Sequence, residues 1–430
     1  MGGRTKYWVG FAALTALPLA WAPAQNTGAA PTVAQPRPAQ APAPKAPVAQ
    51  PPAAAAPAPP VVRPTLLWHP RDAEELLAFI QQIGSEGLDP ADYGPAGLAA
   101  ALRSGNPLLL AQTATDRFNR VSADLALGHV PRDEREGWHI VDKDLDDERQ
   151  YALLTTALQQ HRVSDTLRSL LPTHPQYRDL RNALISTPQS DTTKLNRIRL
   201  NMDRWRWLPR DLGEKYIIVN VPAFYVALVE KGVTRRRHRA IAGAIKTPTP
   251  MISAMATGVI LNPWWEIPKS IEPEIRGKRG YVPVKGKDGK VQRWRQPPGP
   301  NNALGQMKFV MYNPQAIYLH DTNARSRFNS QVRSLSHGCI RTQNIHDFAA
   351  EILADDGGEW TREKIDAVLA SKKTVEAKFV KPVPVYIVYF SSAAATDGRI
   401  INYSDIYKRD AKVLAALLDK GSGEKSVATR

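Results

Sequence analysis

The chain has 430 residues, with 57 basic against 41 acidic side chains and a formal net charge of +16. That length allows two or three domains. A mean hydropathy of −0.35, with no long apolar run beyond the N-terminus, excludes a polytopic membrane protein. One cysteine, Cys339, excludes an intrachain disulfide, a cysteine-clustered zinc site and an iron–sulfur cluster.

Residues 1–24 read as an export signal peptide. Arg4 and Lys6 make the basic start and Tyr7 to Trp21 the apolar stretch. Ala20-Trp21-Ala22 and Ala22-Pro23-Ala24 are small-x-small cleavage sites. An uncleaved N-terminal anchor is the alternative. Residues 25–64 follow as a Pro/Ala-rich linker; 12 prolines and 13 alanines between positions 26 and 64 leave almost nothing to bury.

Residues 65–190 carry helical patterning. Asp72 and Glu75 suggest a capping box ahead of Leu76, Leu77, Ile80 and Ile83. Phe118, Val121 and Leu125 form a second face that stops at Gly128. A third stretch runs from Leu153 to Leu171 and ends at Pro172. No ligand cluster stands out, so the expected role is packing.

From about residue 195 the pattern turns to strands, at Tyr216–Val221, Phe224–Val229, Gly258–Leu261, Met307–Met311 and Ala316–His320. One helix, with Ile345, Phe348, Ala349, Ile352 and Leu353 on a face, interrupts them. Val383–Phe390 and Arg399–Tyr403 flank the hairpin signal Asp397-Gly398. Residues 269–302 have poor strand patterning and are rich in Pro, Gly and charge. Nine basic residues there face three acidic ones. A long basic loop of this kind suits a lid over an acidic ligand. Residues 411–430 read as a C-terminal tail. The fold class expected is α+β multidomain: a helical domain followed by a mostly β domain over 195–410, with the lid inserted.

A basic chain with a pI of 9.8 raises the question of nucleic acid. The export signal and the lack of a helix-turn-helix, finger or RNP-like pattern argue against it.

The chemistry centres on Cys339, in Ser336-His337-Gly338-Cys339-Ile340-Arg341, preceded by Ile317-Tyr318-Leu319-His320-Asp321-Thr322. A thiol needs a neighbouring base or positive charge to become a nucleophile. Here two imidazoles and a guanidinium are available, and the residues alone leave His320 and His337 open as the base. The amides around Gly338-Cys339 could serve an oxyanion. Arg341 suits a carboxylate.

The order and spacing from His320 through Ser336-His337-Gly338-Cys339 resemble the YkuD-type L,D-transpeptidase signature. Asn201–Pro209, Lys246–Pro250, Asn262–Pro268, Pro298–Gly305, Ala395–Arg399 and Asp405–Tyr407 are similar to the large YcbB-type members. The resemblance implies a helical scaffold domain over 65–190 and a catalytic domain over 195–410. It implies a peptidoglycan L,D-transpeptidase that attacks a donor tetrapeptide stem through Cys339, releases D-alanine, and passes the acyl group to an acceptor amine as a 3→3 crosslink. By the same resemblance His320 is the general base, its tautomer held by the backbone carbonyl beside it. Gly338 and Cys339 amides form part of the oxyanion hole. Arg341, His337, Tyr318 and Trp265 line the substrate site. No metal or cofactor is implied. The expected location is the periplasm, with cell-envelope proteins as further partners. Many such members place a small peptidoglycan-binding module between the two domains; here only about ten residues, Ser186 to Leu195, join them. An L,D-carboxypeptidase using water as acceptor, a papain-like protease and a non-catalytic wall-binding scaffold are the competing readings.

Overall fold

Proline starts most of the N-terminal helices. Pro70, Pro95, Pro107 and Pro175 occupy the first helical turn, where a missing N–H matters least. His69, Asn106 and His174 precede three of them and accept the first free amides. The computed structural model describes residues 63–419, apart from 355, 356 and 396. The expected signal peptide and nearly all of the linker lie outside the described residues.

The helices are α1 (Pro70–Gln82), α2 (Pro95–Arg103), α3 (Pro107–Leu127), α4 (Asp147–Gln160), α5 (Val163–Arg168), α6 (Pro175–Ser186) and α7 (Thr192–Arg206). Leu76, Ile80, Phe118, Val121, Leu125, Leu154 and Leu167 interlock in one buried cluster. The capping box does not form. Asp72 is buried and pairs with His161 Nδ1 at 2.9 Å, and Glu75 accepts the Ser164 amide at 2.8 Å. Both carboxylates tie α1 to the start of α5. His161, in the left-handed region, breaks the third predicted stretch into α4 and α5.

Helix α7 corrects the expected onset of strands at 195. Its buried face, Leu195, Ile198, Met202 and Trp205, packs with α6 against Tyr216, Ile218, Tyr386 and Val388. Asp203 accepts the His129 amide at 2.7 Å and the Trp207 indole at 3.0 Å. Arg206 meets Tyr177 at 2.7 Å, and Arg204 pairs with Asp410 at 2.8 Å. These buried polar groups are partnered across the junction, which fixes where the sheet begins relative to the helices.

The strands are β1 (Lys215–Asn220), β2 (Tyr225–Glu230), β3 (Val233–Gly243), β4 (Ile252–Leu261), β5 (Trp265–Glu266), β6 (Val282–Lys285), β7 (Val291–Gln296), β8 (Met307–Met311), β9 (Leu319–His320), β10 (Ser334–Ser336), β11 (Ile340–Thr342), β12 (Val375–Val388), β13 (Ser392–Ala394) and β14 (Ile400–Asn402). Among them fall α8 (Glu272–Ile275), α9 (Ile345–Ala354), α10 (Arg362–Ser371) and, last, α11 (Asp410–Leu418). Nine strands form one sheet in the order β10-β3-β11-β9-β8-β4-β12-β1-β2, and β3 also pairs with β2, so the sheet closes on itself. Its filling includes Val219, Val226, Val259, Phe309, Leu319, Ile340 and Val385, capped by Phe348 and Ile352 of α9.

Four expectations change. Residues 269–302 are not strand-poor: β6 and β7 form a hairpin that β5 extends, over a small cluster of Ile267, Ile271 and Ile275. A second helix, α10, follows α9. The Asp397-Gly398 turn joins β13 to β14, while Val383–Val388 belongs to the long central β12. The C-terminal tail holds α11, because Val413 and Leu417, four apart, bury against Val130, Leu200 and Trp207.

Candidate active site

Strand register assembles the site. Strands β9 and β11 run parallel with Leu319 opposite Ile340 and His320 opposite Arg341. The Ile340 amide donates to the Tyr318 carbonyl at 3.0 Å, which sets Cys339 beside Tyr318. On the other side β8 is antiparallel, with Lys308 opposite His320. Side chains alternate along a strand and aligned residues share a face. Leu319, Ile340, Met307 and Phe309 point into the barrel core. Tyr318, His320, Cys339, Arg341 and Lys308 therefore share the opposite face.

The turn carrying Cys339 is held from beneath. Ser336 Oγ accepts the Gly338 amide at 3.1 Å and donates to the Cys339 carbonyl at 2.6 Å. Thr249 Oγ1 donates to the Gly338 carbonyl at 2.7 Å and accepts the Gly243 amide at 2.9 Å. Tyr407 in turn accepts the Thr249 amide at 3.1 Å and donates to the Gly243 carbonyl at 2.7 Å. The Lys246–Pro250 and Asp405–Tyr407 segments are thus supports of the turn. Gly338 has φ +120°, a backbone conformation that a side chain strains.

One expectation fails here. The Gly338 amide is engaged by Ser336 and is not free for an oxyanion. The Cys339 amide donates to no group among the described residues, and it is the donor left at the thiol.

Cys339 is partly buried, and its thiol lies 3.8 Å from the Ala316 carbonyl. Burial pushes the thiol above its ordinary pKa, while the Tyr318 amide and hydroxyl, then Lys308 and Arg341, pull it back. His320 is only 5% exposed. Burial first, then Arg341 and Lys308, push its pKa down to about 3, against the opposing Asp321 backbone and carboxylate. The imidazole is therefore neutral at ordinary pH, the form a proton acceptor needs. Its Nδ1 is buried and finds no partner at ideal hydrogen-bond geometry, yet the Asp321 backbone beside it still favours a proton on the ring, in the sense the resemblance implies.

His337 goes elsewhere. It is exposed, and its Nε2 lies 3.0 Å from Glu274 Oε1 on α8 of the lid. Trp265, at the root of the lid, reaches the Tyr318 hydroxyl, whose pKa is raised by burial and by the neighbouring thiol. Arg341 Nε is buried and unpartnered, and burial lowers the pKa of this guanidinium. Asp321, next to His320, accepts the Gln306 amide and Arg325, both at 2.9 Å. A Cβ at Gly305 would come 2.3 Å from that carboxylate, which explains a glycine there.

Lys308 is the site residue that sequence reasoning missed. Its ammonium sits 4.2 Å from the Tyr318 ring centroid. The only signal was a lysine second in Met307–Met311, between two core positions; which strand would lie beside it was not legible.

Two family models match the chain. A "Scaffold domain" covers residues 63–184 and an "L,D-transpeptidase catalytic domain" of YkuD type covers residues 214–383. This is the YcbB-type architecture, a YkuD L,D-transpeptidase catalytic domain joined to a scaffold domain. A curated Haemophilus influenzae protein named "Putative L,D-transpeptidase" is 29% identical over 286 residues, covering 60% of this chain and 57% of its own length. The chain thus spans little more than half of that relative. Among solved structures, an L,D-transpeptidase of Enterococcus faecium is 12% identical, with 42% of this chain and 52% of that one covered and a TM-score of 0.24. L,D-transpeptidase 1 of Mycobacterium tuberculosis is 16% identical, with 41% and 61% covered and a TM-score of 0.21. The residues between the two matched segments, including α7, form the joint described above.

Proposed function

We propose that this L,D-transpeptidase-family protein is a peptidoglycan crosslinking enzyme acting through a thioester on Cys339. The observation that carries this reading is the register that sets a neutral, buried His320 and an unpartnered Arg341 on the thiol's face. His320 takes the thiol proton, and the thiolate attacks the carbonyl of the third residue of a donor tetrapeptide stem. The oxyanion meets the Cys339 amide. Collapse breaks the bond to the terminal D-alanine, whose amine leaves with the proton from His320. An amine of a second stem then attacks the thioester, loses a proton to His320 and frees the thiol, leaving a 3→3 crosslink. Tyr318 and Trp265 form one wall of the donor site, and His337 lies at the lid side. The N-terminal segment suggests a periplasmic enzyme, and the scaffold domain offers a surface for envelope partners.

Incubation of the full chain with purified tetrapeptide muropeptides, read by mass, tests this. Crosslinked dimer with released D-alanine is expected. Tripeptide alone would replace the reading with an L,D-carboxypeptidase, and unchanged substrate would sink both.

A further inference from the structure

The thiol's face of the sheet carries two cations that make no ion pair among the described residues. Strand order β11-β9-β8 places Arg341 and Lys308 on either side of His320, each aligned with it. Among the described residues neither cation makes an ion pair or a side-chain hydrogen bond. Of the acidic groups nearby, Glu266 acts on Lys308 only from beyond ion-pair distance, and each has a closer partner. Glu266 pairs with Arg293 at 3.1 Å, Glu274 with His337 at 3.0 Å, and Asp321 with Arg325 at 2.9 Å.

A cation withdrawn from water is ordinarily matched by an anion. The Tyr318 ring holds the Lys308 ammonium without neutralising it. The thiol is protonated at rest, and burial raises its pKa further. Even when it ionises, one thiolate faces two cations. Arg341 lies in β11, two residues past Cys339 of the preceding turn; Lys308 lies in β8, over the Tyr318 ring and on the other side of His320. One positive charge is left over for the substrate.

We propose that Lys308 is a specificity-determining residue that binds a free carboxylate of the acyl donor, next to the carbonyl that Cys339 attacks. This rests on the acyl-enzyme reading above and names the substrate class within it: short peptides with an unblocked carboxylate close to the scissile bond. A charge-assisted contact of this kind discriminates about ten- to hundredfold against an uncharged analogue.

The test uses the full chain, Lys308→Met and Lys308→Arg. The donors are a synthetic tetrapeptide with free carboxylates and the same peptide with those carboxylates as amides. Thioester formation on Cys339 is followed by intact mass, and iodoacetamide alkylation is followed against pH. The wild type should prefer the acid over the amide by about ten- to hundredfold. Lys308→Met should reduce that ratio to near one, and Lys308→Arg should restore most of it, with thermal melting showing both variants folded. An unchanged ratio in Lys308→Met overturns the proposal. So does an equal loss for both donors with an alkaline shift in the alkylation profile, which would make Lys308 a support of the thiolate. A wild type that forms no thioester with either peptide removes the parent reading and this proposal together. An unchanged ratio on an enzyme that is acylated removes the proposal alone.

Discussion

The turn around Cys339 and the lid that reaches it are built on opposite plans. The turn is locked by Ser336, Thr249 and Tyr407, whose hydrogen bonds lie at least partly out of water. The proposed lid has an exposed hairpin, a small cluster of Ile267, Ile271 and Ile275 at its root, and, among the described residues, a contact to the turn through half-exposed side chains, His337 with Glu274. Buried, shared hydrogen bonds resist local opening; few apolar contacts and exposed pairs do not. The proposed thioester chemistry needs the first plan at Cys339, since a nucleophile must hold its geometry to within a fraction of an ångström; the second plan suits the proposed lid. The two imidazoles divide along the same line. His320 belongs to the locked sheet and His337 to the lid contact.

The sharpest way to break this comparison is at the thiol. A carbapenem, a compact β-lactam that acylates enzymes of the family the sequence resembles, should add to the wild-type chain but not to Cys339→Ala, and Cys339→Ser should be nearly inactive, since an alkoxide is far harder to generate than a thiolate. An intact-mass adduct on Cys339→Ala would place the nucleophile elsewhere.

Next come the histidines. His320→Ala should slow single-turnover acylation by about 10²–10⁴, with the circular dichroism spectrum unchanged. His337→Ala should keep measurable turnover. The reverse result would assign the base to the lid side. The pH dependence sharpens this. A His320 pKa near 3 leaves its base form populated throughout mildly acidic solution, so acylation should show no acid limb near the ordinary imidazole value of about 6.5. Stability carries the same sign. Between about 3 and 6.5 the unfolded chain binds a proton that the folded His320 refuses. His174, lowered to about 4 by burial, acts likewise. Asp142, pushed up to about 7 by burial, works the other way, so the test is the difference between variants: with falling pH the midpoint of urea unfolding should drop more in the wild type than in a His320→Gln variant.

A smaller effect is expected under the turn. Thr249→Val removes the donor to the Gly338 carbonyl and the acceptor of the Gly243 amide. Leaving buried groups unpaired costs about 1–3 kcal/mol, visible in denaturant unfolding together with slower acylation. A variant as stable and fast as the wild type would mean that the turn holds itself.

The smallest effects belong to the lid. Glu274→Gln removes an exposed pair worth about 0–1 kcal/mol, so KM should change by less than about fivefold. Neutralising Lys285, Lys287 and Lys290 together should raise KM more than it lowers kcat. Salt should do the same, because screening acts over about 8–10 Å. An unchanged KM at low salt would leave the lid's charge without a role in recruitment.

Much of this was legible in local pattern. Apolar spacing marks α1 and α3, β-branched runs mark β1 and β2, and the lone Cys339 between an imidazole and a guanidinium marks the chemistry. Each depends on residues a few positions apart, which share a face whatever the rest of the chain does. The onset of strands was misplaced because α7 is polar on average, and its buried arginines and Asp203 find most of their partners far away in the chain, among them Tyr177, Asp410, Ser391 and the His129 amide. The hairpin escaped notice because Pro283 and the polar and charged residues of β6 and β7 interrupt the apolar alternation of a strand, and only the pairing of β6 with β7 defines them.

The amino-acid order alone singled out Cys339 as the candidate nucleophile and marked the elements near it, because nucleophilicity and periodicity are properties of residues and their immediate neighbours. It could not decide between His320 and His337, free the Cys339 amide rather than that of Gly338, or bring Lys308 to the site. Those depend on strand register and on which hydrogen-bonding groups are already taken. Both are set by contacts between positions far apart in the chain, such as Gly338 with Thr249 and Lys308 with His320, and only packing the whole barrel decides them.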